Sequence, residues 1–256
     1  VSAHQSYTAI NSKAWDQWAE EGSDWTIPIA REEYVRARNG EWDVYLTPCK
    51  FVPKAWFGSL QGARLLGLAS GGGQQMPIFS ALGAVTTIFD NSDRQLASER
   101  MVAEREGYDI EIVKGDMTQR LPFEDGAFDI IFHPVSNCYI ENVQHVWQEC
   151  FRVLRSGGVM LASFDNGVGF LIEDDQEPLV IVNKLPFNPL VNPEQMKQLQ
   201  KDDSGVQFSH SLEEQIGGQL KAGFVLTDLY EDRNREGSGV LREYTMQYIA
   251  TRAVKP

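Results

Sequence analysis

Glycines crowded after one apolar run, and single carboxylates closing others, are the residues of this 256-residue chain whose spacing can do chemistry. Residues 65–69 are apolar and lead into Ser70-Gly71-Gly72-Gly73-Gln74-Gln75. Residues 85–89 end on Asp90, and residues 110–113 are followed by Gly115-Asp116-Met117. Glycines let a backbone turn tightly and approach a ligand that any Cβ would exclude. The amides of Gln74 and Gln75, opening a helix, offer its positive end to a carboxylate. An acid at a strand tip accepts from both hydroxyls of a ribose through charge-assisted bonds. Asp90 can equally cap the helix that begins near Ser92, and Asp116 a turn. Together the layout suits an adenosine-containing cofactor.

A second group follows the apolar run 128–132: His133-Pro134-Val135-Ser136-Asn137-Cys138-Tyr139. Ligands of open α/β sheets bind beyond the carboxyl ends of strands, where this segment starts. His133 titrates near neutrality and can take a proton, or can be a structural histidine bonded to backbone beside Pro134. Tyr139 is a pocket wall or a base. The four histidines lie far apart, so no metal-ligand spacing arises. Cys49, Cys138 and Cys150 form no CxxC pair or disulfide framework.

These groups must be held by an α/β scaffold. Apolar runs at 65–69, 85–90, 110–113, 128–132 and 159–164 alternate with helical stretches at 75–82, 92–106 and 143–154. That alternation predicts a doubly wound, mostly parallel sheet. A helix over 212–221, opened by the Ser211…Glu214 capping box, precedes strands 224–230 and 244–251, which predict a terminal antiparallel hairpin. Seven strands result. Residues 1–60, carrying Trp15, Trp18, Trp25, Trp42 and Trp56, read as an N-terminal helical cap on a domain over 61–256. Helices are expected there over 14–20, capped by Asn11 or Ser12, and over 31–38. Residues 166–208, with four prolines and one strand-like piece at 179–182, read as an insertion over the carboxyl edge of the sheet.

Over residues 60–252 the chain resembles the class I S-adenosylmethionine-dependent methyltransferases. The resemblance lies in Gly67-Leu68-Ala69-Ser70-Gly71-Gly72-Gly73, Asp90, Gly115-Asp116-Met117, the approach 121–132, and Glu149…Arg152-Val153-Leu154-Arg155-Ser156-Gly157-Gly158. It implies a Rossmann-like fold, S-adenosyl-L-methionine as cofactor and S-adenosyl-L-homocysteine as product. It also implies a cofactor site drawn from Gly67, Ala69, Ser70, Gly71, Gly73, Gln74, Gln75, Asp90, Asn91, Gln95, Gly115, Asp116, Met117, His133 and Pro134. Within it Asp116 meets the adenine amino group and Asn91 lies against the ring, while Gln95 can instead face solvent. Two positions depart from the family. Gly67 stands where an acid is usual, and Ala69 where a glycine is usual.

Methyl transfer from a sulfonium is an in-line displacement that depends on positioning in a dry site. The family supplies no universal catalytic residue, so His133 and Tyr139 are the local candidates. Tyr7, Trp15, Trp18, Ser136, Asn137, Phe170 and Phe187 are expected to line the substrate pocket. A net charge of −13 and the absence of an Asn-Pro-Pro-Tyr box argue against nucleic acid, leaving a small-molecule acceptor. No membrane-length apolar run occurs, residues 1–5 carry no leader pattern, and a cytoplasmic monomer or homodimer is expected. A non-catalytic cofactor-binding protein remains an alternative, as does a NAD-dependent oxidoreductase, although the latter's glycine spacing requires a small residue at Met76.

Overall fold

The computed structural model describes residues 6–201 and 204–256; the expected absence of a leader falls on residues 1–5, outside them. Seven strands form one sheet: β1 (Arg64–Leu68), β2 (Val85–Asp90), β3 (Ile110–Lys114), β4 (Phe128–His133), β5 (Leu154–Asp165), β6 (Val225–Asp232) and β7 (Tyr248–Val254). Their order is β3-β2-β1-β4-β5-β7-β6, with β7 antiparallel to both neighbours. The chain reverses direction across the sheet between β1 and β4, so the carboxyl ends of these two strands flank the topological switch point.

Both faces of the sheet are covered, as the near-continuous apolar strands require. On one face Leu65, Ile88, Ile130 and Phe132 pack with Met76 and Phe79 of α3 (Gln75–Ala81) and Val102 of α4 (Asp93–Glu106). Val44, Leu46, Trp56 and Phe57 of the N-terminal segment join the same core, as do Tyr34 and Ala37 of α2 (Arg31–Arg38). On the other face Leu66, Leu68 and Ile131 pack with Val146, Trp147 and Cys150 of α5 (Val143–Val153). The helix α7 (Leu212–Ala222) lies beside α5 and opens on the expected Ser211/Glu214 capping box.

The Glu149…Arg152 pair has a structural task. Glu149 Oε2 accepts from the Leu121 amide at 2.8 Å, while Arg152 donates to Leu121 O and Phe123 O. A mostly buried ion pair thus ties the approach to β4 onto α5.

Several elements differ from expectation. The first helix, α1, spans Tyr7–Glu21 rather than 14–20, and its cap is Ser6. Asn11 and Ser12 lie within it, their side chains spent on the body of the protein rather than on helix amides. The strand expected at 159–164 is longer: β5 starts at Leu154 and takes in Ser156-Gly157-Gly158 as an irregularity, where its register shifts against β4. The strand-like piece at 179–182 makes only an isolated bridge, Ile172 with Ile181. The last strand begins at Tyr248, because residues 241–243 form a helical turn before it. The insertion also contains an unforeseen helix, α6 (Pro193–Lys201). Its signal was present: proline at the first helical position, preceded by Asn192, whose Oδ1 accepts from the Glu194 amide at 3.1 Å.

Candidate functional site

A cavity of about 880 Å³ lies at the carboxyl ends of the strands, between α1, the segment 24–48 and the insertion. The turn after β1 sets its floor. Ala69 takes the left-handed conformation (φ 49°), and its amide donates to Phe89 O at 2.8 Å. A left-handed residue with a Cβ costs about 1–2 kcal/mol, so this alanine holds a glycine's conformation under strain. Gly71 then donates to Asp90 Oδ2 at 3.0 Å, and the Ser92 amide to Asp90 Oδ1 at 2.9 Å. A Cβ on Gly71 would lie 2.9 Å from both Asp90 Oδ2 and Gln95 Cβ, so only glycine lets the loop reach the carboxylate.

Each Asp90 oxygen keeps a lone pair beyond its backbone bond. Burial pushes the Asp90 pKa up, opposed by the amides of Ser92, Gly71 and Asn91. At the far end of the loop, Gly73 donates to Glu99 Oε2 at 2.9 Å, and Tyr108 donates to Oε1. Burial pushes the Glu99 carboxyl up to about 7.

The departure at Gly67 has a packing reason. A Cβ there would meet Met76 Sδ at 2.7 Å, so the thioether fills the space that an acidic side chain would need. Gly67 therefore sits inside the sheet and does not line the cavity, nor does Gly73. Ala69, Ser70, Gly71, Gln74, Gln75, Asp90, Asn91, Gln95, Gly115, Asp116, Met117 and Pro134 all do.

Gln95 does not face solvent. It is buried, with its Oε1 lacking any hydrogen-bond partner beside Gly72. An orphaned acceptor beside a glycine that admits no Cβ is what a cradle for a polar cofactor provides. Asn91 lines the cavity too, but its side-chain amide donates to Thr8 O at 3.1 Å.

His133 is sealed in. Its Nδ1 faces Leu68 O and its Nε2 faces Asn137 Oδ1, both at 2.9 Å, and it does not line the cavity. Burial lowers its pKa, which disfavours the cation that two acceptors would need. Turning over the Asn137 and Gln215 amides satisfies a neutral ring with its proton on Nδ1. It also gives the otherwise unpartnered Gln215 Nε2 an acceptor in Asn137. Asn137 likewise stays out of the cavity. A ring held this way positions the end of β1 and has no open path for a proton from a bound molecule.

The aromatic residues divide. Trp15, Tyr139, Phe170 and Phe187 line the cavity together with Ser136; Tyr7 and Trp18 do not. Tyr7 packs edge-on against Phe208, and its hydroxyl accepts from the Glu141 amide. Trp18 stands behind Trp15, ring centroids 5.1 Å apart. Burial raises the Tyr139 pKa far above its ordinary value, so its hydroxyl keeps its proton.

Residues not foreseen complete the walls. Thr8, Asn11 and Ser12 of α1 line the cavity, as do residues 43–48, Asp165 and Tyr248. Asn11 donates to Tyr139 O and Val206 O and accepts from the Val206 amide. Asp16 Oδ1 accepts from Ser92 Oγ at 2.7 Å and from the Arg94 amide at 2.9 Å, docking α1 on the start of α4. Asp165 had a readable signal, since it closes the apolar run of β5 as Asp90 closes that of β2. No group of three or more histidine, cysteine or acidic side chains able to hold a metal occurs among the described residues.

Comparison with known proteins decides the family. The chain is 44% identical over 252 residues to the uncharacterized methyltransferase YbaJ of Bacillus subtilis (strain 168), covering 96% of this chain and 98% of that one. It belongs to the class I S-adenosylmethionine-dependent methyltransferases. Residues 66–162 match the family model described as a methyltransferase domain. A shorter likeness, 32% over 105 residues, joins 40% of this chain to 28% of the sterol 24-C-methyltransferase erg6 of Aspergillus fumigatus. Among solved structures, an S-adenosylmethionine-dependent methyltransferase from Mesorhizobium loti superposes with TM-score 0.61 at 16% identity. That match covers 78% of this chain and 94% of the other and shows the fold. A geranyl diphosphate methyltransferase in complex with S-adenosylmethionine superposes with TM-score 0.57 at 17% identity, covering 79% of this chain and 82% of the other. The methyltransferase thus takes S-adenosylmethionine as its cofactor, and the cradle at Gly71, Asp90 and Gln95 fits it.

Proposed function

We propose that this methyltransferase moves the methyl group to a small organic acceptor held in the part of the cavity over β4 and β5. The observation that carries this reading is continuity. One cavity joins Asp90 at the end of β2 and Asp116 just beyond β3 to a chamber walled by Trp15, Tyr139, Phe170 and Phe187. The sterol methyltransferase likeness is in keeping with a small acceptor.

When bound, S-adenosylmethionine supplies an electrophilic methyl on a sulfonium. Asp90 holds the ribose hydroxyls, Asp116 the adenine amino group, and Met117 and Asn91 flank the ring. The amides of Gln74 and Gln75 receive the carboxylate at the start of α3. Ser70, Gln95, Gly115 and Pro134 shape the crevice. Trp15 from α1 and Phe170 and Phe187 from the insertion exclude water and orient the acceptor, which lowers the barrier mainly through positioning. In this reading residues 1–60 are a cap on the domain 61–256, and the insertion is the other half of the lid. No helix among the described residues is long and apolar enough to cross a membrane. The three free cysteines fit a reducing cytoplasm, and the self-contained cavity fits a monomer or a homodimer of independent sites.

Methyl-labelled S-adenosylmethionine incubated with panels of amines, thiols and phenols tests the reading. Label in a small-molecule product is expected. Label only in protein or RNA substrates would contradict it.

A further inference from the structure

The chamber's chemistry is one-sided. Arg235 is the only cationic side chain among the described lining residues, and it is spent on Asp24 (3.7 Å) and the face of Trp25 (3.9 Å). Carboxylates line the same cavity repeatedly, and most have evident work. Asp90 and Asp116 serve the cofactor, Asp175 accepts from the Val240 and Leu241 amides, and Glu173 pairs with Lys201. Asp165 is different. It ends β5 in the wall of the cavity, and its carboxylate accepts from backbone amides alone, that of Gly167 at 2.9 Å among them, with no side-chain donor to it among the described residues. No ion pair to it occurs among the described residues. The titratable groups that face it are Cys138 and Tyr139 from the loop after β4 and Tyr248 from β7, none of them basic. A carboxylate kept among aromatic rings without a cation is costly to hold in the free protein unless a ligand supplies the charge.

We propose that Asp165 selects the methyl acceptor: its carboxylate, beside Tyr139 and Tyr248, binds an amine carried on an apolar body. The proposal rests on the reading that the acceptor occupies this chamber. Aromatic walls attract a cation through their π faces, and the excess of carboxylates repels an anionic acceptor. Burial raises the Asp165 carboxyl to about 6, so it is ionised at neutral pH and is also a competent proton acceptor. For an ammonium substrate, one N–H proton passes to Asp165. The freed nitrogen lone pair then forms the bond to the methyl carbon, and the electron pair of the broken methyl–sulfur bond stays on sulfur. Asp165 afterwards returns its proton to water, and the product leaves as a methylated ammonium ion.

The test is calorimetric titration of the S-adenosylhomocysteine-saturated protein with benzylamine, benzyl alcohol and phenylacetate, which share one ring and differ in charge. Benzylamine is expected to bind at least about tenfold more tightly than the alcohol at about pH 7.5, with phenylacetate weakest. The preference should vanish in Asp165→Asn with S-adenosylhomocysteine affinity unchanged. In the unmodified protein it should fade as pH falls through about 6, which keeps the test decisive if the variant does not fold. Absence of an amine preference, whether all three probes bind alike or none binds, would overturn the proposal. So would a variant that loses S-adenosylmethionine affinity while keeping the preference, since Asp165 would then serve the cofactor. A protein that fails to bind S-adenosylhomocysteine counts against the cofactor site and not against Asp165; the amine series on the unloaded protein then decides the proposal, an about tenfold amine preference supporting it and its absence overturning it.

Discussion

The Gly71 amide donates to Asp90 Oδ2 at 3.0 Å, so the loop that leaves β1 is fastened to the carboxylate that ends β2. Two features 19 residues apart in the chain, about one βαβ step, become one object in space. A Cβ at Gly71 would break the contact from one side, and loss of the carboxylate would break it from the other.

The left-handed Ala69 is a local strain that the neighbouring glycines do not share. Ala69→Gly is expected to raise stability by about 0.5–1 kcal/mol, strain relief outweighing the extra freedom of the unfolded chain. Cofactor affinity should stay within about threefold, a change of under ~0.7 kcal/mol. Denaturant unfolding and calorimetry on the variant check both; a lower midpoint would count against the strain argument.

Glu99 gives the fold a pH signature. Its folded pKa is raised from 4.5 to about 7, so between those values the native state binds more protons than the unfolded chain. This group therefore favours folding at low pH, and its contribution is progressively lost as pH rises from the lower value to the higher. Above the folded pKa the full cost, about 3 kcal/mol by order of magnitude, is in place. Glu99→Gln keeps an acceptor for the Gly73 amide without the charge. Its melting temperature should exceed that of the unmodified protein near pH 8 and converge with it near pH 5, as thermal scans across that range would reveal.

Much of the lining of the crevice proposed for the cofactor was legible because its information is local. A glycine loop beside an apolar run, and an acid at a strand's end, keep their meaning whatever packs around them, and Gly71, Asp90, Asp116 and Met117 all line the cavity. His133 was ambiguous because its orientation depends on Leu68 O from β1 and Asn137 from the following turn, and only the fold brings these together. The role of Asn11 was hidden for the same reason: its partners, Tyr139 and Val206, lie 128 and 195 residues away. The helix α1 was read too short because polar residues, Thr8, Asn11 and Ser12, interrupt the apolar pattern on the side of its first turns that meets the body of the protein. Asp165 was overlooked although it carries the same signal as Asp90.

The lid predicts a split between substrates. Trp15 lines the chamber and rests against Tyr139, ring centroids 5.6 Å apart, but makes no hydrogen bond to the cofactor crevice among the described residues. Trp15→Ala should raise KM for the acceptor about tenfold or more through lost aromatic contact, while S-adenosylhomocysteine affinity stays put. Asp16→Ala should act differently, since Asp16 docks α1 on Ser92 and Arg94. Faster cofactor release with little change in global stability is expected, read by stopped-flow displacement. Equal effects of both substitutions on cofactor and acceptor would contradict a lid with two faces.

The central claim is that Asp90 and the glycine loop hold S-adenosylmethionine. Calorimetric titration of the protein and of Asp90→Ala with S-adenosylmethionine, S-adenosylhomocysteine and NAD tests it most directly. Binding of the first two near the micromolar range, weakened at least about a hundredfold in the variant (~2.7 kcal/mol), is the predicted result, with no binding of NAD. Undiminished binding to Asp90→Ala, or binding of NAD alone, would contradict the account.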